Sequence, residues 1–208
     1  EKAGFAAPHD LYLYETPYSP DAVMETINVT EYCKDGVLTW QVPEGNWRIY
    51  RFGAALTGKQ NHPAPPEATG LEVDKLDKEA WMDYFRKYMD MYKEASGGMV
   101  GQRGIQYILT DSYEAEQMTW TKTIAEEFRS RRGYDLFAWM PALTGEVISS
   151  SEETEKFLFD WRETLGELFR ENYDRINEIA KEYGMKGRYT ESHENGRVFV
   201  GDGMDLKM

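Results

Sequence analysis

Cysteine is almost missing from this chain of 208 residues: Cys33 stands alone, so no internal disulfide framework can hold the fold. Positive charge is also scarce. Lysine and arginine total 24 against 37 acidic residues, a formal net charge of -13. That balance argues against DNA, RNA or anionic lipid as the main partner, because such binders need a positive field. No apolar run approaches the length of a membrane-spanning helix, and no charged-then-apolar leader opens the chain. Internal repeats and low-complexity tracts are absent. The chain begins at Glu1 and reads as a processed or excised piece of something longer. What it has is enough apolar residue, 41%, to bury a sizeable core. Aromatics reach 14%, a supply that serves the core and also suits the stacking of sugar rings.

Residues 1–30 carry scattered tyrosines and prolines without a clear pattern. From Ile27, INVTEYCKDGVLTWQVPEGNWRIYRFG contains three β-rich runs broken by Lys34-Asp35-Gly36 and Pro43-Glu44-Gly45-Asn46. Those breaks are turn chemistry, which predicts an antiparallel β element whose last strand is 47–53. A long loop follows, ALTGKQNHPAPPEATGLEVDKL. Helical spacing of Trp81, Tyr84, Phe85, Tyr88, Met91, Tyr92 and Ala95 then predicts a helix capped by Asp77 and ended by Gly97-Gly98. A strand is expected at 105–110, and a second helix from about Thr121 to Arg132, closed by Gly133. Ser150 and Glu153 have capping-box spacing and open a third helix that ends at Gly184. Its apolar stripe runs through Phe157, Trp161, Leu168, Ile176 and Ile179. Strands at 187–191 and 197–200 complete the pattern. Trp81 and Trp161, on helix faces, are expected in the core.

Strands that alternate with long helices imply parallel βα units, whose ligand sites gather beyond the carboxyl ends of the strands. Three stretches then matter, and each is rich in carboxylates. The first holds Asn61, His62, Glu67, Glu72 and Asp74. The second holds Asp111, Glu114 and Glu116, and the third Glu191, His193, Glu194 and Asn195. Converging on one rim, two such carboxyls supply what glycoside hydrolysis needs: a general acid on the leaving oxygen, and a partner that activates water or attacks carbon. Excess carboxylates with amide oxygens also suit Ca²⁺. Plainer roles stand beside these. Asp111 can cap or turn the chain, Glu114 and Glu116 can be solvated loop charges, and Glu191 can pair with an arginine. His62 and His193 are ligands or bases in the functional reading and ordinary loop histidines in the plainer one. Tyr113, Trp120 and Trp139, in or near loops, are the better candidates for sugar stacking.

A set of stretches, LTWQVPEGNWRIYRFGAALTG, PAPPEATGLEVDKLDKEA, ILTDSYEAEQMTWT, EEFRSRRGYD and FLFDWRETLGELFRENY, resembles glycoside hydrolase family 106, the α-L-rhamnosidases, across about residues 27–195. The resemblance implies a (β/α)₈ barrel, calcium in the active site, and inverting hydrolysis of terminal L-rhamnose from plant-type polysaccharides. It also implies a large, multidomain bacterial parent, periplasmic or secreted. Carried over by position, Glu114 in DSYEA is the general acid. Glu191 or Glu194 in YTESHEN is the second acidic group, as base or calcium ligand. Asn61, Glu72, Asp74, Asp111, Tyr113, Trp120 and His193 are the substrate-binding candidates.

A full barrel needs eight βα units, and only three or four are legible here. The expected fold is therefore α/β: a partial TIM-barrel-like module over 47–208, preceded by a β-rich lead-in over 1–46. The rest of the parent polypeptide and an oligo- or polysaccharide are the expected partners, with no nucleic acid and no membrane insertion. The alternatives are a glycosidase for a different sugar and a noncatalytic carbohydrate-binding module.

Overall fold

The structure is a computed structural model that describes residues 22–110 and 118–190. Its elements are a hairpin of β1 (Cys33–Lys34) and β2 (Val37–Leu38), helix α1 (Lys78–Ala95), strand β3 (Tyr107–Thr110), helices α2 (Ile124–Arg132) and α3 (Ser151–Glu182), and strand β4 (Gly187–Thr190). The fold is mixed α/β. It divides into two compact units, one from Glu1–Gly53 with Ile124–Glu163, the other from Ala54–Thr123 with Thr164–Met208.

In the first unit, β1 and β2 pair antiparallel through a turn at Asp35-Gly36, both at positive φ. Aspartate and glycine tolerate that conformation, so the turn chemistry acts as the sequence implied. The ladder stops after two residue pairs. The strand expected at 47–53 does not form; this stretch carries no ladder. Its local bonds explain why. The Trp47 indole donates to the Pro43 carbonyl at 3.0 Å, folding the chain back on itself. Arg48 and the Tyr50 hydroxyl both reach the Glu146 carboxylate, while Ile49 and Phe52 remain exposed. A run with no apolar face to bury and no neighbouring ladder has little reason to become a strand.

The core of this unit is aromatic. Phe128 meets Tyr134 edge-on at 4.9 Å and Phe157 at 5.8 Å, and Trp139 stacks on Phe157 at 5.7 Å. Phe128 and Leu136 are wholly buried. Tyr134 donates to Asp160 at 2.8 Å. Burial and that carboxylate together raise the phenol well above its ordinary range. The start of α3 follows the capping expectation: Ser150 Oγ accepts from the Glu153 amide at 3.2 Å.

The second unit is built on α1, the later half of α3 and the β3–β4 pair. Asp77 caps α1 by accepting from the Glu79 and Ala80 amides at 3.0 and 3.3 Å. The buried stripe of α1 is Trp81, Phe85 and Met89, narrower than the sequence suggests, since Tyr84, Met91, Tyr92 and Ala95 are exposed. Positions 81, 85 and 89 are four apart and face one neighbour, whereas 84, 91 and 95 lie to one side of that line; Tyr92 lies on it, but in the helix's last turn. Trp81, Phe85 and Met89 pack with Ile108, Tyr173, Ile176 and Ile179 in one cluster. Helices α1 and α3 are tied further by a bidentate Arg86–Glu182 pair at 2.9 and 2.8 Å. Tyr183 adds its hydroxyl to Asp90; burial first, and then that carboxylate, push this phenol up to about 12.

Strands β3 and β4 are parallel and in register, Tyr107 opposite Gly187 through Thr110 opposite Thr190. The pairing extends at its start through the Lys186 amide donating to Gln106. Gly101, at φ +85°, lets the chain pass the end of α3: a Cβ there would lie 2.7 Å from the Tyr183 carbonyl oxygen. Ile108 is buried toward the helices, whereas Tyr107 and Leu109 on the other face are 42% and 63% exposed.

Candidate active site

The register sets Thr110 and Thr190, the last residues of β3 and β4, opposite each other, and two of the three carboxylate-rich stretches follow them in the sequence. Both chain segments that follow, beginning at Asp111 and at Glu191, leave from the same end of a parallel pair. That is where βα architectures build ligand sites. Glu114, Glu191 and Glu194, together with Asp111, Tyr113, Glu116, His193 and Asn195, lie outside the described residues.

The first stretch is described in full. Gln60 and Leu71 form an antiparallel bridge that closes the loop. Across it, Asn61 works as a clamp: its amide nitrogen donates to the Ala68 carbonyl at 3.0 Å, and its oxygen accepts from the Gly70 amide at 2.8 Å. A groove of about 330 Å³ lies along the loop, lined by Lys59, Asn61, His62, Ala64 and Thr69 among others. Both polar ends of the Asn61 amide are thus committed to the backbone, and its loop position is rigidly set.

Glu72 pairs with Lys75. Asp74 Oδ1 accepts from the Leu76 and Asp77 amides at 2.9 and 3.2 Å, turning the chain into α1. These two acids shape the approach to the helix, and Asp77 carries the connection onward. Lys122 Nζ lies 2.8 Å from Asp77 Oδ2 and 3.8 Å from Glu79 Oε2. Burial pushes the Asp77 carboxyl up, but Lys122 and the two cap amides outweigh it and hold the group below the usual carboxylate range. This lysine, which no local sequence signal singles out, joins the end of the first stretch to the chain just past the second. Trp120, two residues before it, is half-buried. Trp139 belongs to the first unit, its ring against Phe157 and Tyr134.

Among the described residues, no three of His, Cys, Asp and Glu are grouped to hold a metal ion. Glu72, Asp74 and Asp77 already accept from a lysine or from backbone amides. The hard-oxygen cage that calcium requires is therefore not assembled from these side chains alone.

A parallel strand pair with helices packed on one face is a frame that many enzymes share, and it is the family match over its length that makes this chain a glycoside hydrolase chain. More narrowly, it belongs to glycoside hydrolase family 106: the family model, described as alpha-L-rhamnosidase, matches residues 1–208. The chain is similar to the solved rhamnosidase from Novosphingobium sp. PP1Y, with a TM-score of 0.75 and 39% identity over 94% of this chain and 19% of that one. It is also 40% identical over 164 residues to a Formosa agariphila protein provisionally named a beta-glucuronidase, 78% of this chain and 14% of that protein. The chain thus spans less than a fifth of the length of either relative.

Proposed function

We propose that this chain forms part of the catalytic module of an α-L-rhamnosidase, one that removes terminal rhamnose from plant-type polysaccharides with inversion. The observation that carries the reading is the β3–β4 register: two acidic segments of a family 106 chain start side by side at the carboxyl end of a parallel pair. In the reaction, Glu114 protonates the leaving oxygen, and Glu191 or Glu194 activates the attacking water. Asn61, Glu72, Asp74, Asp111, Tyr113, Trp120 and His193 form the sugar-facing rim or its support. Calcium, when bound, would supply a fixed positive charge against sugar hydroxyls, with its oxygen ligands drawn largely from segments other than the described acids.

The strand pair supports a barrel. Parallel sheets are normally covered on both faces, yet here helices cover one face and Leu109 projects from the other. Further strands of the parent, closing a (β/α)₈ ring, would bury that face and pair both edges. Residues from 47 onward form the barrel's first portion in this reading, and the parent acts outside the cytoplasm, in the periplasm or medium.

Release of rhamnose from an aryl α-L-rhamnoside by the full-length parent is the expected result. Product analysis by NMR should give the inverted anomer first. No release, with cleavage of an aryl β-glucuronide instead, would transfer the assignment to a uronic acid substrate, the second reading favoured by the provisional name of the Formosa agariphila relative.

A further inference from the structure

Helix α1 has four sides of different chemistry, since each residue turns the helix by about 100°. Trp81, Phe85 and Met89 face the core, against Ile108 of β3 and Ile176 of α3. Arg86, Asp90 and Lys93, spaced i, i+4 and i+7, form the flank toward the end of α3. There Arg86 pairs with Glu182, Asp90 accepts from the Tyr183 hydroxyl, and Lys93 Nζ lies 5.9 Å from the Tyr183 ring centre. Asp83, Lys87 and Glu94 form the outward side, where Lys87 Nζ meets Asp83 Oδ2 at 2.7 Å and both side chains are well exposed. Each of these sides has the chemistry its surroundings call for.

The fourth side does not. Tyr84, Tyr88, Met91 and Ala95, spaced i, i+4, i+7 and i+11, form the flank opposite α3, and none is charged. Tyr84 is 42% and Met91 60% exposed, and Tyr92 at the border of this flank is 42% exposed. The stripe covers about 16 Å, or three turns. An uncharged stripe of that length is the pattern of a covered helix face, and left open it marks an interaction surface.

Its geometry fits another helix. The spacing is that of the ridges by which one helix seats on a second, and the small Ala95 allows close approach at one end. A sugar needs a flat ring to stack on. Tyr88 and Tyr92 instead lean on each other, centroids 4.8 Å apart and planes at 54°, with their hydroxyls bonded at 3.2 Å. The position agrees. Helix α3 is the crossover from β3 to β4 and holds the β4 side of α1, whereas the other edge of β3 has no paired strand among the described residues. The bare flank belongs to that open side. This chain also spans less than a fifth of its relatives' length, so a parent of that size has ample polypeptide to fill it.

We propose that the Tyr84, Tyr88, Met91 and Ala95 flank of α1 is the seat of a second helix, supplied by the part of the parent polypeptide outside these 208 residues. The inference rests on the proposed barrel, in whose outer ring every helix has a helix on either side. Helix α3 is one neighbour of α1, and this flank receives the other. The incoming helix sets apolar side chains against Tyr84 and Met91. It also brings a hydrogen-bond acceptor to the Tyr88–Tyr92 pair, whose two hydroxyls hold two protons and use one between them.

The test is made in the full-length parent. Hydroxyl-radical footprinting read by mass spectrometry should show Met91 oxidised about fivefold or more slower than in the denatured parent, because a packed helix interface excludes water. Near-equal rates overturn the proposal. Photoreactive benzoylphenylalanine in place of Tyr84, and in a second sample in place of Met91, should cross-link within one molecule to a single segment outside residues 1–208. The two positions lie about 10 Å apart, so their targets should be about seven residues apart on a helix but about three apart on a strand. Targets about three apart, cross-links back into residues 1–208, or cross-links between two molecules each overturn the proposal. Met91→Glu should lower the melting temperature by more than about 3 °C, while Met91→Leu and the outward control Lys87→Gln should each cost less than about 1 °C. An unchanged melting temperature in Met91→Glu overturns the proposal; should that variant fail to fold, the wild-type footprint decides. Weaker retention of Tyr84→Ala on an immobilised rhamnose-containing polysaccharide, with no melting loss, would make the flank a sugar surface and also overturn it. An active rhamnosidase with Met91 open to radicals sinks this inference alone, whereas a protected Met91 in a parent that releases no rhamnose sinks only the functional reading.

Discussion

Lys122 Nζ lies 2.8 Å from Asp77 Oδ2, and that contact ties the cap of α1 to the chain just past β3. Asp77 serves two purposes with one carboxylate: Oδ1 caps the helix, and Oδ2 holds the lysine. Substitutions can separate them. Asp77→Ala removes both functions and should cost about 1–2 kcal/mol, most of it from the cap. Asp77→Asn keeps a competent cap and removes the charge. Its cost should stay under about 1 kcal/mol, because Lys122 is 62% exposed and solvent screens the pair.

The same pair gives a pH dependence with a definite sign. The folded Asp77 carboxyl is held below its ordinary value, so its contribution is complete above the unfolded value, about 4. It is lost as the pH falls through the lower, folded value. The melting difference between wild type and Asp77→Asn should therefore be constant from neutral to mildly acidic pH and shrink in strong acid. A difference that grows on acidification would contradict the assignment.

Gly101→Ala should destabilise the second unit by about 1–3 kcal/mol. Two effects combine: φ is +85°, and the added carbon would meet the Tyr183 carbonyl at 2.7 Å. Denaturant unfolding measures this directly. Gly133→Ala is the control, since its φ is also +85° but nothing lies within 4 Å of the new carbon; it should cost less.

Phe128→Ala should cost about 3–5 kcal/mol, the range for removing a fully buried ring. Phe128 contacts Tyr134, Phe157 and Trp161 together. Near-ultraviolet circular dichroism should weaken in parallel with the loss of stability.

Glu114→Gln in the full-length parent should lower kcat by about 10²–10⁴-fold while substrate binding persists, as expected for loss of a general acid. Leaving-group dependence checks the role: aryl rhamnosides with acidic phenols need less protonation and should lose less rate. Equal losses for good and poor leaving groups would remove Glu114 from that part.

Chelation examines the calcium proposal. Treating the parent with EDTA and then restoring Ca²⁺ should lower and recover both activity and melting temperature, because a bound ion stabilises the state that holds it. Full activity after exhaustive chelation would remove calcium from the mechanism.

Local chemistry was legible in the sequence wherever one residue type controls one conformation. Asp77 and Ser150 cap where their side-chain oxygens meet free amides, and Asp35-Gly36 turns where positive φ is tolerated. The parallel order of β3 and β4 followed from the helices between them, since a parallel return needs a long crossover. The reading failed where the outcome depended on neighbours. The stretch 47–53 has strand-like residues, but Arg48 and Tyr50 are drawn to Glu146, about a hundred positions away, and no ladder forms. On α1, helical spacing allowed a wide stripe, and packing against Ile108 and Ile176 selected Trp81, Phe85 and Met89.

By itself the sequence determined the acidic character, the helix caps, the turn at Asp35-Gly36 and the family-like stretches that carry the hydrolase assignment. Tertiary structure alone decided that Thr110 and Thr190 end side by side, that Lys122 closes on Asp77, and that Tyr84 and Met91 stay exposed on one flank of α1. The physical reason is range. Caps and turns are settled by side chains a few residues from the backbone they satisfy, whereas register, ion pairing and burial depend on surfaces brought together from distant parts of the chain.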